Sequence, residues 1–176
     1  MKTSVSGESC RPADRSSDPI RIIGIGNSLR GDDAIGLLVA RRLREQAGQD
    51  VQVIEADRPG VALLDLMEGA EKVVLVDAAS GSGPEGRIHR VDVAAGPIGR
   101  EIFPTSTHAI GLAESVEIAR ALGRLPATTV TYGIEVGSTE IGSGLSPAVA
   151  AAVDEAVARI LRELDEWKSS GKRRLL

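Results

Sequence analysis

Four side chains in this sequence stand where chemistry is usually done. Asp32 and Asp33 close the stretch Ile22-Ile23-Gly24-Ile25-Gly26-Asn27-Ser28-Leu29-Arg30-Gly31-Asp32-Asp33, Asp77 ends the apolar run Val73-Val74-Leu75-Val76, and His108 ends Thr105-Ser106-Thr107-His108. Two carboxylates and one imidazole can hold a divalent first-row metal ion. Hard oxygens and a borderline nitrogen bind it, and unfilled positions remain for water or a substrate group. One aspartate before a helix is accounted for by capping of free backbone N–H groups. The second, adjacent aspartate needs another reason. Asp77 needs one too, because a carboxylate at the end of a buried strand is costly unless it is paired or coordinating.

The elements that must position these groups follow from the hydropathy pattern. Ile20, Ile22, Ile23 and Ile25 form a short β-branched strand covered on both faces. Gly24 and Gly26 allow something to approach the main chain closely. Ile35, Leu38, Val39 and Leu43 recur three and four apart and predict a helix that ends near Gly48. Val51 to Ile54 is a second strand, followed by a polar loop Glu55-Ala56-Asp57-Arg58-Pro59-Gly60 and a helix from Val61 to Glu68. Lys72 to Val76 is a third strand, and Arg87 to Val93 alternates like an exposed one, with His89 a solvated member flanked by arginines. His108 is expected at the start of a helix that stops at Gly123 and Pro126, and Thr129 to Val136 is the last strand. Ser146 as N-cap and Pro147 at the first helical position announce a final helix striped by Val149, Val153, Val157, Ile160, Leu164 and Trp167.

Strands alternating with helices predict a single α/β domain. Helices cover both faces of a mostly parallel, twisted sheet of about five strands, with one edge strand antiparallel. The expected boundaries are a flexible extension over 1–19, the domain over 20–168 and a frayed tail over 169–176. In such a sheet, ligands bind beyond the carboxyl ends of the strands. Asp33 follows the first strand, Asp77 ends the third and His108 opens a helix, so all three are expected at that one edge.

Composition removes several alternatives. A net charge of −4 and only three aromatic residues argue against a nucleic-acid partner. The single cysteine, Cys10, can build neither a disulfide framework nor a thiolate cage, and no apolar run suits a membrane span or a secretory signal, so a cytoplasmic, reduced location is expected. A dinucleotide fingerprint fails because Leu29 stands where its third glycine belongs. A Mg-dependent phosphatase would lack a phosphate-cradling lysine beside the motif.

Together the motifs resemble the hydrogenase maturation proteases. They are Gly24-x-Gly26-Asn27-x-Leu29-x-x-Asp32-Asp33-x-x-Gly36, Val-Val-Leu-Val-Asp77-Ala, Thr107-His108-x-x-Gly111-Leu112, Tyr132-Gly133-Ile134-Glu135 and Gly144-Leu145-Ser146-Pro147. The resemblance spans Ile20 to about Leu164. It implies an endopeptidase that trims the C-terminal extension from the precursor of a nickel–iron hydrogenase large subunit. It also implies that Asp33, Asp77 and His108 are both the catalytic and the metal-contacting positions. The nickel would arrive with the substrate and not as a resident cofactor. Asp33 as base and a metal-bound water are both open as the means of attack. Asp32 is left as a cap and support, with the glycines making room for a bulky folded substrate. The partner is then the large-subunit precursor, met by a monomer without nucleic acid or membrane. The other reading of the same motifs is a non-catalytic assembly factor or metallochaperone. Many members of that family carry a Gly-Gly-Thr or Gly-Thr turn after the second strand, where this chain has Glu55 to Gly60; the difference bears on which precursor is accepted.

Overall fold

The computed structural model describes residues 20–99, 103 and 110–173. His108, Cys10 and the 1–19 extension therefore lie outside the described residues. Five strands, β1 (Ile20–Gly26), β2 (Val51–Asp57), β3 (Lys72–Ala79), β4 (Ile88–Asp92) and β5 (Thr128–Glu135), form one sheet in the order β2-β1-β3-β5-β4. All pairs are parallel except β4 with β5 at the edge. The mostly parallel α/β sheet with one antiparallel edge strand is thus present as expected.

Helices α1 (Ile35–Arg44) and α4 (Pro147–Arg173) pack on one face of the sheet, over a core that includes Ile22, Val39, Leu43, Val74, Tyr132, Val157 and Ile160. The shorter α2 (Leu63–Met67) and α3 (Leu112–Ala121) cover the other face, around Ile23, Leu63, Met67, Val73, Leu75 and Val116. Each layer shields β-branched and leucine side chains that alternate along the strands, which is how near-continuous apolar strands satisfy both faces at once. Ser146 caps α4 through its Oγ, which accepts the Val149 N–H at 3.4 Å.

Three local expectations change. β2 does not stop at Ile54: parallel pairing with β1 continues through Gly24↔Glu55, Ile25↔Ala56 and Gly26↔Asp57. Glu55 is thereby brought onto the guanidinium groups of Arg41 and Arg44 of α1, at 2.7 and 2.6 Å. α3 begins at Leu112, four residues after His108, where Glu114 Oε2 accepts the Gly111 N–H at 3.1 Å. His89 is not a freely solvated residue, for its Nε2 meets Glu135 Oε1 at 2.8 Å. Glu135 is itself buried, and its other oxygen accepts the Gly81 N–H at 2.8 Å.

One buried polar atom is left over. Thr131 Oγ1, in the middle of β5, has no hydrogen-bond partner among the described residues. Thr131→Val keeps the shape and removes the orphaned hydroxyl. It is expected to stabilise the fold by about 1 kcal/mol, read as a rise of roughly 2–4 °C in the melting midpoint.

Candidate active site

The strand order sets where a site can form. From β1 the chain crosses to β2 on one side, and from β3 it continues toward β5 on the other, so the loops after β1 and β3 diverge and open a crevice between them. Asp33 lies in the loop after β1 and Asp77 near the end of β3, one on each side of that crevice. Both line a cleft of about 250 Å³, together with Gly26, Arg58, Leu63 and Ser115.

Asp77 reaches the cleft by strand alternation. It follows Val73 and Leu75 in steps of two, on the face covered by α2 and α3, at the point where that cover ends. Its Oδ1 accepts the Ala78 N–H at 2.9 Å. Burial pushes the Asp77 carboxyl up to about 7, and the neighbouring Asp33 charge adds to the rise, outweighing the Ala78 hydrogen bond. Asp33 sits in a short 3₁₀ turn, Gly31–Ala34, that leads into α1. Its pKa is also raised, by burial first and by Asp57 in addition, while Arg30 and Arg58 pull it down. Two acids that resist ionising side by side can share a proton or a cation, or one can accept a proton from water near neutral pH.

Asp32 behaves in the opposite way. The residue is fully buried and caps no group of its own helix. Instead its Oδ2 accepts the N–H groups of Gly137 and Ser138, both at 3.1 Å, and its Oδ1 accepts that of Ser146 at 2.6 Å. Burial would raise its pKa, but the hydrogen bonds from Ser146, Ser138 and Gly137 outweigh it and hold the carboxyl below its ordinary value. Its backbone N–H donates to the Ser138 carbonyl at 3.1 Å. Asp32 therefore ties the loop after β5, and the start of α4, to the loop that carries Asp33. The cap expected from its position is replaced by a support more than a hundred residues away in sequence.

The glycines are also redefined. A Cβ at Gly24 would collide with the Gly36 carbonyl oxygen and the Ala40 side chain, and one at Gly36 would collide with the Ile25 and Val76 carbonyl oxygens. What approaches the main chain closely at Gly24 is helix α1, not a substrate. That contact draws the start of α1, and with it Asp33, against the β1/β3 crevice.

Of the three residues expected together, Asp33 and Asp77 share the cleft and His108 lies outside the described residues. Ile110, two residues beyond it, is on the cleft wall. Among the described residues no three His, Cys, Asp or Glu side chains are grouped as a metal site, and no helix is long and apolar enough to cross a membrane. Leu63 and Ser115 also line the cleft, and neither carries a signal in the sequence, since each lies within an amphipathic helix pattern.

The chain is similar to known proteins over most of its length. The profile described as hydrogenase maturation protease matches residues 37–163. The hydrogenase expression/formation protein HupD of Rhodobacter capsulatus is 27% identical over 151 residues, which cover 84% of this chain and 72% of that protein. The hydrogenase 2 maturation protease of Escherichia coli strain K12 is 28% identical, over 84% of this chain and 91% of that one. Among solved structures, a [NiFe] hydrogenase maturation protease HycI from Thermococcus kodakarensis superposes with a TM-score of 0.66 at 28% identity, covering 86% of this chain and 95% of its own.

Proposed function

Because the chain belongs to the hydrogenase maturation protease family, we propose that it is an endopeptidase that removes the C-terminal extension of a nickel-loaded hydrogenase large-subunit precursor. The observation that carries this reading is the pair Asp33 and Asp77, which come from the turn after β1 and the end of β3 and line one cleft at the β1/β3 switch point.

In this reading the nickel belongs to the substrate. Asp33, Asp77 and His108 contact it when the precursor docks, and so place the scissile bond beside the cleft. Free of the ion, the two carboxyls hold pKa values above the usual range. A cation between them removes that penalty, so the site is favoured only when the precursor arrives loaded. The attack on the peptide carbonyl is by water, activated either by Asp33 as the base that takes its proton or by the substrate's ion.

The test is to mix the protein with a nickel-loaded precursor and follow complex formation and the mass of the large subunit in the same sample. A complex followed by loss of the tail mass supports the endopeptidase. A stable complex whose subunit never shortens would make the protein an assembly factor instead. The proposal also expects cleavage to fall at least a hundredfold when the precursor is prepared without nickel, measured as peptide released per unit time.

A further inference from the structure

We propose that Arg58 recognises a carboxylate of the protein substrate at the mouth of the Asp33/Asp77 cleft. The inference rests on the endopeptidase reading given above and names a chemical feature of its substrate.

Arg58 is the one non-glycine residue at positive φ among the described residues, at 48°. Glycine takes that conformation freely, and a long side chain does not. The fold gains no core contact in exchange, since the side chain is 66% exposed. The backbone is nevertheless held: the Arg58 N–H donates to the Gly26 carbonyl at 3.0 Å, at the end of β1, and Pro59 follows. A side chain kept at a strained position with no packing role points to a use outside the fold.

The guanidinium is oriented for that use. Arg58 Nε donates to Asp57 Oδ1 at 2.7 Å, and Ser28 Oγ donates to the other oxygen of Asp57 at 2.9 Å. Asp57 is thus gripped from two sides and fixes the near end of the guanidinium. The terminal nitrogens of Arg58 have no acceptor among the described residues. These two nitrogens form the part of an arginine that matches a carboxylate. Arg58 belongs to the cleft wall, and Arg30 is anchored similarly, through Nε to the Thr139 carbonyl at 3.1 Å. The cleft therefore has acids within and guanidinium groups around Asp33. A substrate that carries a negative group beside its cleavage point is drawn into one register, with that group at Arg58 and away from Asp33 and Asp77. The carboxylate can be an acidic side chain of the extension or the extension's own C-terminus.

The experiment compares the wild-type protein, Arg58→Gly and Arg58→Lys for equilibrium binding to nickel-loaded precursor by titration calorimetry, with peptide release read by mass in the same samples. Three further precursors are used. In one, the acidic side chains of the extension are changed to amides; in another, the C-terminus is amidated; the last carries both changes. Arg58→Gly suits the backbone, so it is expected to melt no lower than wild type while binding the unmodified precursor about tenfold more weakly. Arg58→Lys is expected to recover part of the affinity, because it keeps the charge and loses the fork. The gap between wild type and Arg58→Gly should close against the precursor that lacks the carboxylate involved, which identifies the source. Binding by Arg58→Gly within twofold of wild type would overturn the proposal, as would a tenfold gap that persists against the doubly modified precursor. Failure of the wild type to release any peptide would overturn the endopeptidase reading and leave the binding comparison to decide on Arg58.

Discussion

Asp77→Asn is expected to abolish cleavage of the precursor while making the folded protein more stable above neutral pH. The two effects have one cause. Burial and the Asp33 charge raise the Asp77 pKa to about 7, above its ordinary value of 3.8. Between those values the folded protein holds a proton that the unfolded chain releases, so stability falls as pH rises from about 4 to about 7. Above pH 7 the penalty is complete, and below about pH 4 it is absent. Asparagine keeps the shape and never ionises. Its advantage should grow from nothing near pH 4 to about 2 kcal/mol at pH 8, roughly half of what the whole shift represents, because the cleft is open to water. Denaturant midpoints of both proteins at pH 4, 6 and 8 measure it. The same exchange removes a proposed ligand to the substrate's nickel, and a loss of at least a thousandfold in cleavage rate is expected, the scale typical of removing one member of a concerted site. Stability bought at the cost of function is the mark of a group retained for chemistry.

Asp32→Ala is expected to act on the fold before it acts on the reaction. It leaves the N–H groups of Gly137, Ser138 and Ser146 without their carboxylate, at a position sealed from solvent. A cost of about 3 kcal/mol is expected, because three hydrogen bonds to one ionised carboxylate are lost together. The pH dependence has the opposite sign from that of Asp77. The folded pKa of Asp32 lies below its ordinary value of 3.8, so its stabilisation is whole above that value and is lost as pH falls through the lowered one. Chemical denaturation at pH 7 and at pH 3 separates the cases: the gap between wild type and Asp32→Ala should narrow in acid.

The adjacent pair therefore divides by direction. One carboxylate turns inward to three amides, which hold its pKa down; the other turns to the cleft, where burial raises it. Their types and place were visible in the sequence, because an acidic pair between a glycine-rich turn and an amphipathic helix is readable from a single segment. Which of them faced the site was less accessible, since the partners of Asp32 come from the loop after β5, about 105 residues on. Asp77 was legible for a simpler reason, as the first charge after an unbroken apolar strand. The mostly parallel sheet followed from alternation of apolar runs with helical spacing, whereas the strand order β2-β1-β3-β5-β4 came only from the fold.

What the sequence concealed was long-range pairing. Glu55 and Asp57 look like loop residues because polar side chains interrupt the apolar run, yet backbone pairing with β1 carries the strand through them. Glu135 and His89 meet only because β4 runs antiparallel beside β5, with His89 opposite Gly133. Gly24 signalled close approach correctly but not by what; its partner Gly36 lies twelve residues later, on the face of α1 that meets the sheet.

The central claim is that Asp33 and Asp77 together act on the tail of a nickel-bearing precursor. The most direct measurement is the intact mass of the large subunit after incubation of the nickel-loaded precursor with wild type, Asp33→Asn and Asp77→Asn, each shown to be folded. A subunit shortened by one discrete C-terminal peptide with the wild type, and left at full length with both variants, is the predicted result. Equal shortening by the wild type and either variant would contradict it.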